Sequence, residues 1–363
     1  MKKLERYGHG GDLRTAEEAY GIAADQWLDF SSNMNPWGPP EVVGEIMRER
    51  WREIVRYPDP AVRGLRKKLS EVYDIPAESI LVGNGAAELI ELVIRVQKPA
   101  ETVLARPSFS EYEEAVHKAG GTVLELPLSA ENEFVLPASL QEWTLSAAEQ
   151  GRTLFLGHPN NPTGRLIPDE TLRALTASGA PLIVDEAFMD FVPDEGRHSL
   201  LREAASSRHV IVIRSMTKFF AVPGIRLGFL VAHPDTVRDM AALQTQWSVN
   251  FLAQLIGEAV LGDDAYANRT RNWLQEERPW LTGRLKQLGL RVTPSDVNFL
   301  LVQLSPEHAM DVNQLQQAMA RRGIMIRDAS LFAGLGSSYF RVAIRLRHEN
   351  ERLVQQLEEV LSR

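Results

Sequence analysis

The sequence predicts an α/β fold: a large domain with a mostly parallel, seven-stranded sheet, followed by a smaller α+β domain at the C-terminus. From about residue 79, short apolar runs alternate with amphipathic helices, and most of these runs are continuously apolar. Continuous apolar strands are typical of sheets that are buried on both faces, and alternating strands and helices form parallel sheets. After about residue 244 the pattern becomes helical, and two strand–helix segments follow.

The predicted elements divide the chain into three parts. The large-domain strands are expected at 80–82, 102–105, 122–126, 153–156, 182–184, 210–213 and 227–231. A helix that begins at Pro39–Pro40 is predicted to carry Val43, Ile46, Met47 and Ile54 roughly on one face and to stop at Tyr57-Pro58-Asp59-Pro60. We expect an N-terminal arm (1–45) that packs on the small domain and on a partner subunit, a large domain (46–245) and a small domain (246–363).

Composition excludes several classes of protein. The 363 residues carry a formal net charge of −8, so the chain lacks the basic balance that a nucleic-acid binder needs. The absence of cysteine excludes disulfides, thiolate catalysis and cysteine-ligated metal, and the 8 histidines show no metal-ligand spacing. No apolar run reaches the ~18 residues of a membrane span, and no apolar segment follows the basic residues Lys2 and Lys3. We therefore expect a cytoplasmic protein without a metal.

The candidate chemistry lies where the predicted strands end, because ligands of parallel α/β sheets bind beyond the carboxyl ends of the strands. Asp185 follows one strand and Lys218 follows the next one along the chain. Either residue alone is weak evidence, since a single aspartate often caps a turn and most lysines are solvated. Together they are the two groups that a pyridoxal 5′-phosphate (PLP) enzyme requires: an amine that condenses with an aldehyde and a carboxylate that keeps a pyridine nitrogen protonated.

A phosphate site is predicted beside this pair. Gly83-Asn84-Gly85-Ala86 leads from a strand into a helix, where backbone N–H groups and the positive helix end favour an anion. Ser215, Thr217 and Arg226 flank Lys218 and can complete the phosphate contacts.

Three further residues are expected to contact the cofactor ring. Asn161 can donate to its phenolate oxygen, Phe109 can stack on one face, and Ala187 is small enough to lie against the other face. Ser215-x-x-Lys218 also matches the serine motif of β-lactamases, but the Ser-Asp-Asn and Lys-Thr-Gly segments of that family are missing.

The order of these motifs resembles a known superfamily. Asn161-Pro-Thr-Gly164, then Asp185-Glu-Ala187, then Ser215-x-x-Lys218 with Arg226 downstream is similar to the fold-type I, class I and II aminotransferase superfamily of PLP enzymes. Tyr57-Pro58 after an arginine resembles the histidinol-phosphate aminotransferase branch. In that branch the tyrosine reaches the PLP phosphate of the other subunit, so the resemblance implies a homodimer with shared active sites.

Finer features resemble the threonine-phosphate decarboxylases of cobalamin biosynthesis. They are His9-Gly-Gly-Asp12, residues 29–36, Trp247-Ser-Val-Asn250 and Arg341-Val-Ala-Ile-Arg345. This resemblance implies decarboxylation of L-threonine O-3-phosphate to (R)-1-amino-2-propanol phosphate and carbon dioxide. Phe188 stands where the aminotransferases usually have tyrosine, although one such exchange is also compatible with neutral drift.

The same resemblance implies a small phosphorylated amino acid as the partner of the site. Arg341 and Asn161 would bind its carboxylate, Arg327 and His9 would bind its phosphate, and Asn33 lies in the loop expected to cover the site. The alternative for Arg327 is a surface salt bridge with Asp328 or Glu349.

Two other functions remain open. One is a PLP-dependent aminotransferase of the histidinol-phosphate type. The other is a non-catalytic protein of the same fold, which the presence of both Lys218 and Asp185 disfavours. Which bond at the substrate Cα breaks depends on which one lies perpendicular to the cofactor ring, and that torsion is not encoded in any motif.

Overall fold

The computed structural model of the chain describes Leu4, Gly8, residues 10–137 and residues 151–362. His9, predicted to bind phosphate, lies outside the described residues. The helices of these ranges are α1 (Leu13–Tyr20), α2 (Glu41–Glu49), α3 (Arg63–Tyr73), α4 (Ala86–Gln97), α5 (Ser110–Lys118), α6 (Asp169–Ala177), α7 (Glu195–His198), α8 (Leu201–Ser206), α9 (Pro234–Leu243), α10 (Phe251–Val260), α11 (Asp264–Gln287), α12 (Val312–Ala320) and α13 (Arg347–Leu361). The strands are β1 (Leu28–Asp29), β2 (Ile80–Gly83), β3 (Glu101–Arg106), β4 (Thr122–Pro127), β5 (Thr153–Gly157), β6 (Leu182–Asp185), β7 (Val210–Ser215), β8 (Gly228–Val231), β9 (Arg291–Val292), β10 (Phe299–Gln303), β11 (Ile324–Met325), β12 (Arg327–Asp328) and β13 (Tyr339–Ala343).

The seven predicted large-domain strands form one sheet in the order β2-β8-β7-β6-β5-β3-β4. Strand β8 runs antiparallel to both β2 and β7, and the other neighbouring pairs are parallel. The predicted mostly parallel, seven-stranded sheet is therefore confirmed.

Both faces of this sheet are covered, which is why its strands are continuously apolar. Phe155 and Ile183 point to the face covered by α4, α5 and α9. Leu154 and Val184, their neighbours in sequence, belong to the core on the opposite face with α3, α6 and α8. Successive side chains of a strand point to opposite faces, so burial on both sides requires an apolar residue at each position.

The C-terminal part of the chain has its own antiparallel sheet, in the order β12-β13-β10-β9, with α12 and α13 beside it. The N-terminal arm joins this part through β1, which pairs in parallel with β11. Backbone bonds continue the contact, because Phe30 N–H donates to Met325 (2.8 Å) and Ala343 N–H donates to Phe30 (2.8 Å). The division at residues 45 and 245 stays a prediction, and residue 45 itself lies within α2.

The prediction of one helix from Pro40 to the stop at Tyr57-Pro58 is wrong. Helix α2 ends at Glu49, and residues 51–55 form a tight 3₁₀ segment in which the Glu53 N–H donates to the Arg50 carbonyl. Val43 is buried, but Met47 and Ile54 are 47% and 58% exposed. With little core contact on residues 51–55 to hold an α-helical face inward, the chain tightens into i→i+3 hydrogen bonds.

Two further features concern only the described residues. No helix among them is long and apolar enough to cross a membrane. No three of their histidine, aspartate or glutamate side chains are grouped so that they could hold one metal ion.

Candidate active site

A cavity of about 410 Å³ lies at the carboxyl ends of the central strands of the large sheet. The predicted site residues that line it are Asn33, Ala86, Phe109, Asn161, Asp185, Ala187, Ser215, Thr217, Lys218, Arg226, Arg327 and Arg341. They come from the arm, the large sheet and the C-terminal sheet, so the fold brings together residues that are far apart in sequence. Tyr57 lies outside this set: it is 81% exposed and packs on Trp247, with ring centroids 4.9 Å apart.

Asp185 is the last residue of β6 and is buried beside the neighbouring strand β7. Its Oδ1 accepts from the Ala187 N–H (2.9 Å) and its Oδ2 accepts from the Tyr112 hydroxyl (2.7 Å). Burial raises the pKa of Asp185, whereas the Tyr112 hydrogen bond, the Lys218 charge and the Ala187 N–H act to lower it. These donors and the nearby cation favour the charged form of a carboxylate that is almost removed from water.

Lys218 lies three residues beyond the end of β7 and donates from Nζ to Ser215 Oγ at 3.3 Å. Burial lowers the pKa of Lys218 to about 8; Asp185 opposes this shift, and Arg226 and Arg341 add to it. Because the neutral amine is the form that attacks an aldehyde, this environment makes Lys218 a better nucleophile near neutral pH than a solvated lysine.

Glycines allow three segments to converge on the predicted phosphate site. Gly85 has a φ of +85°, and a Cβ there would come within 2.5 Å of an Arg226 Nη atom. A Cβ at Gly228 would meet the Arg214 carbonyl at 2.8 Å and the Ala86 nitrogen at 2.9 Å. Only a residue without a side chain permits this close approach, so both positions require glycine.

The groups that surround this point have the chemistry of a phosphate site. Helix α4 begins at Ala86, and the first N–H groups of a helix carry partial positive charge and no intrahelical acceptor. The hydroxyl oxygens of Ser215 and Thr217 are 2.9 Å apart, and Arg226 contributes a guanidinium. Backbone donors, hydroxyls and an arginine fit a phosphate group.

Arg327 and Arg341 place two positive charges at one side of the cavity. They are directly opposite each other on β12 and β13, and only 5% and 6% of their surfaces are exposed. Their guanidinium carbons lie 5.3 Å and 5.9 Å from the centre of the Phe332 ring. Like charges that face each other across a strand pair are unfavourable, so an anionic ligand would stabilise this arrangement.

Arg341 also connects the parts of the chain that form the site. It donates to the Ser31 carbonyl of the arm (2.8 Å) and to Asn161 Oδ1 in the loop after β5. The Asn161 oxygen accepts from Arg341, so its Nδ2 group is the part of the amide that can donate. Donation from Asn161 to the cofactor stays a prediction. Phe188 packs edge-on against Phe299, with centroids 5.0 Å apart.

The alternative interpretation of Arg327 as a surface ion pair with Glu349 is wrong. Arg327 is buried and donates to the Gly8 carbonyl (2.6 Å), whereas Glu349 pairs with Arg345 at 2.6 Å. Asn33 is buried at the cavity, and its Oδ1 has no hydrogen-bond partner among the described residues.

Two residues that contribute to the site were missed by sequence reasoning. Asn35 donates from its backbone N–H to the Lys218 carbonyl (3.1 Å) and from Nδ2 to the Phe219 carbonyl (2.9 Å), so the arm supports the lysine loop. Tyr112 donates to Asp185. The only local signal for Asn35 is the density of asparagine in the arm. No local pattern distinguishes Tyr112 from an ordinary core tyrosine.

Fold and site together define a class of protein. The chain matches the aminotransferase class I and II family over residues 25–357 and belongs to that family. These enzymes are PLP-dependent. The lysine amine, the buried carboxylate and the phosphate cradle of this chain fit that cofactor.

Individual members of the family are similar to this chain over nearly its whole length. The chain is 38% identical over 361 residues to the threonine-phosphate decarboxylase of Salmonella typhimurium, an alignment that covers 98% of this chain and 96% of the relative. Among solved structures it resembles the histidinol-phosphate aminotransferase from Clostridium acetobutylicum (30% identity, TM-score 0.85, 92% of this chain and 99% of the other). It also resembles L-threonine-O-3-phosphate decarboxylase from Porphyromonas gingivalis (26% identity, TM-score 0.80, with the same two coverages).

The lowered pKa of Lys218 predicts how cofactor capture depends on pH. The rate at which the cofactor-free protein attaches PLP covalently should rise roughly tenfold per pH unit up to about pH 8 and then level off, because only the neutral amine reacts. Stopped-flow absorbance between about pH 6 and about pH 10 measures this rate on both sides of the expected midpoint.

Two controls accompany this titration. Lys218→Ala should show no covalent attachment by borohydride reduction. Binding of pyridoxine 5′-phosphate, which has no aldehyde, reports the pH dependence that does not come from the reaction of the Lys218 amine. A midpoint near the ordinary lysine pKa of about 10.4 would contradict the assignment, as would covalent attachment in the Lys218→Ala variant.

Proposed function

We propose that the protein is a PLP-dependent decarboxylase that converts L-threonine O-3-phosphate to (R)-1-amino-2-propanol phosphate and carbon dioxide in cobalamin biosynthesis. The observation that carries this proposal is the pair of buried arginines, Arg327 and Arg341, at the cavity that holds Lys218 and Asp185. Two cationic groups beside one reactive centre suit a substrate with two anionic groups. The 38% identity to a threonine-phosphate decarboxylase over nearly the whole chain supports the same function.

Each anion of this substrate is assigned its own arginine. Arg341, with Asn161 beside it, binds the carboxylate, because a planar guanidinium matches the two oxygens of a carboxylate. Arg327 binds the phosphate, with His9 as a second predicted contact. Asn33 contributes a buried amide at the same cavity.

Two anchored anions restrict rotation about the bonds to Cα. PLP, when bound, supplies an electron-withdrawing ring that accepts the electron pair of whichever Cα bond lies perpendicular to it. Asp185 holds a proton on the ring nitrogen, and the two arginines hold the Cα–carboxylate bond in the reactive orientation. Binding energy from the remote phosphate thereby contributes to the rate as well as to affinity.

A proton must return to Cα after carbon dioxide leaves. Lys218 is suited to this step because its pKa of about 8 lets the amine hold and release a proton near neutral pH. A water molecule is the alternative donor.

A second candidate is an aminotransferase of the histidinol-phosphate type. It is favoured by the 30% identity and the TM-score of 0.85 to a histidinol-phosphate aminotransferase. In that reaction Lys218 and Asp185 would keep their roles, and the Cα–H bond would break instead. Phe188 cannot supply the hydroxyl that aminotransferases usually place there.

We propose that the active unit is a homodimer. An apolar surface on α2 and the segment after it exposes Met47, Trp51, Ile54 and Val55, which is unusual for the surface of a monomer. Tyr57 projects beside this surface and lies outside the cavity of its own chain. Tyr57 is therefore proposed to reach the PLP phosphate of the partner subunit. The cytoplasmic location and the absence of nucleic-acid partners stay predictions.

The reaction itself is tested by product analysis. Purified protein given PLP and L-threonine O-3-phosphate should release one carbon dioxide per amine formed, without any keto acid, because two anchored anions align the carboxylate bond. The comparison is histidinol phosphate with 2-oxoglutarate under the same conditions. Faster glutamate formation there than carbon dioxide release from threonine phosphate would assign the protein to the aminotransferase function.

The role of Arg327 is tested by its truncation. Arg327→Ala should lower kcat/KM for L-threonine O-3-phosphate by more than roughly tenfold, about 1.4 kcal/mol, because the phosphate loses its arginine. Activity on unphosphorylated L-threonine should be equal in the variant and the parent. Arg291→Ala, which removes an exposed arginine from β9 of the same sheet, is the matched control. An equal loss on both substrates would contradict phosphate binding by Arg327.

The shared active site is tested with hybrid dimers. Lys218→Ala chains are expected to be inactive because they lack the amine that attaches PLP. Tyr57→Ala chains are expected to be impaired, since loss of a hydrogen bond to a charged group costs roughly 1.5–3 kcal/mol. In a hybrid of the two, one site combines an intact Lys218 with an intact Tyr57 from the partner. Such hybrids should regain about half of the parental activity per dimer. No recovery, or a fully active monomer in sedimentation, would show that Tyr57 does not act across an interface.

A further inference from the structure

Tyr112 is a buried polar residue to which the proposed function above assigns no role. It lies in the first turn of α5 and is 1% exposed. Its ring stacks on Phe155, with centroids 4.1 Å apart, and meets the edge of Phe109 at 5.7 Å. Its hydroxyl donates to Asp185 Oδ2 at 2.7 Å. Among the described residues, two aromatic contacts thus fix the ring and one polar contact fixes the hydroxyl.

The neighbouring strand leaves room for this contact. Gly157 is the register partner of Asp185 on β5. A Cβ at Gly157 would lie 3.4 Å from the Tyr112 hydroxyl and 3.0 Å from the Asn160 Cα. A Cβ here would crowd Asn160 and touch the tyrosine hydroxyl, so the hydroxyl meets the Asp185 carboxylate beside a position that has no side chain.

We propose that Tyr112 is a positioning residue that acts through Asp185: its hydroxyl orients the carboxylate and stabilises its charged form for contact with the ring nitrogen of PLP. With Oδ1 held by the Ala187 N–H and Oδ2 held by Tyr112, the carboxylate cannot rotate without losing a hydrogen bond. Each carboxylate oxygen can accept a second hydrogen bond, so both keep capacity for a ligand. The inference rests on PLP binding at this site and not on which Cα bond breaks.

The electrostatics of the pair support the same role. Burial raises the pKa of Tyr112 well above its usual value, with the Asp185 charge adding to the effect, so the phenol stays a donor throughout the physiological range. For Asp185, the Tyr112 hydrogen bond is the largest influence that opposes burial, ahead of the Lys218 charge and the Ala187 N–H. The charges of Arg226 and Arg341, on other elements around the site, lower the pKa of Lys218.

The test replaces only the hydroxyl. Tyr112→Phe keeps the ring that packs on Phe155, so the fold should be retained. We expect the dissociation constant for PLP, measured by titration of the cofactor-free protein, to rise roughly tenfold. The pH below which PLP affinity is lost should move upward, because Asp185 without its donor takes up a proton at higher pH.

A matched variant separates this role from packing. Tyr73→Phe removes another largely buried hydroxyl that contacts a carboxylate, Asp190 Oδ1 at 3.4 Å, but this pair lies outside the cavity. It should leave the PLP dissociation constant within about twofold of the parent value at each pH. A purely structural role for Tyr112 predicts that the two tyrosine variants behave alike.

A double-mutant cycle shows whether Tyr112 acts through Asp185. In an Asp185→Asn background, Tyr112→Phe should change the PLP dissociation constant less than twofold, since the charged partner is already gone. Equal effects of Tyr112→Phe in both backgrounds would overturn the proposal, as would an unshifted pH profile in the single variant. If Tyr112→Phe does not fold with Asp185 intact but folds with Asp185→Asn, the coupling is supported. These readouts need no turnover, so they are separate from the tests of the reaction.

Discussion

The assembly of the site depends on the hydrogen bonds that the Arg341 guanidinium donates. It lies on β13 of the C-terminal sheet and donates to the Ser31 carbonyl of the arm and to Asn161 after β5 of the large sheet. A buried guanidinium is costly unless acceptors surround it, so its position requires the three parts of the chain to meet at this point. The same three parts line the cavity around Arg341.

The arm contributes more than a cover. Asn35 donates to the carbonyls of Lys218 and Phe219 and also to Thr270 Oγ1 of α11 (2.8 Å). The loop that carries the lysine is therefore held from the arm and from the C-terminal part as well as from its own strand. A substrate anion at Arg341 would contact a group already bonded to the arm, which couples substrate binding to the arrangement around Lys218.

Much of the large domain could be predicted from the sequence because its signals are local. Continuous apolar strands mark a doubly covered sheet, and a carboxylate and a lysine at the ends of adjacent strands mark Asp185 and Lys218 as a pair. The pattern around α2 is a poorer guide, since apolar residues such as Met47 and Ile54 carry no indication that they stay exposed. Long-range contacts such as Tyr112 with Asp185 depend on how α5 packs against the sheet. They could not be predicted, because no local sequence pattern encodes that packing.

The central claim is that the two arginines direct cleavage to the Cα–carboxylate bond. The most direct measurement uses L-threonine O-3-phosphate with deuterium at Cα, and mass spectrometry of the product in ordinary water. Decarboxylation leaves the Cα–deuterium bond intact and adds one solvent proton, so we expect the deuterium to be retained at C1 of the aminopropanol phosphate. Loss of the deuterium to solvent, with a keto acid as the product, would contradict this claim.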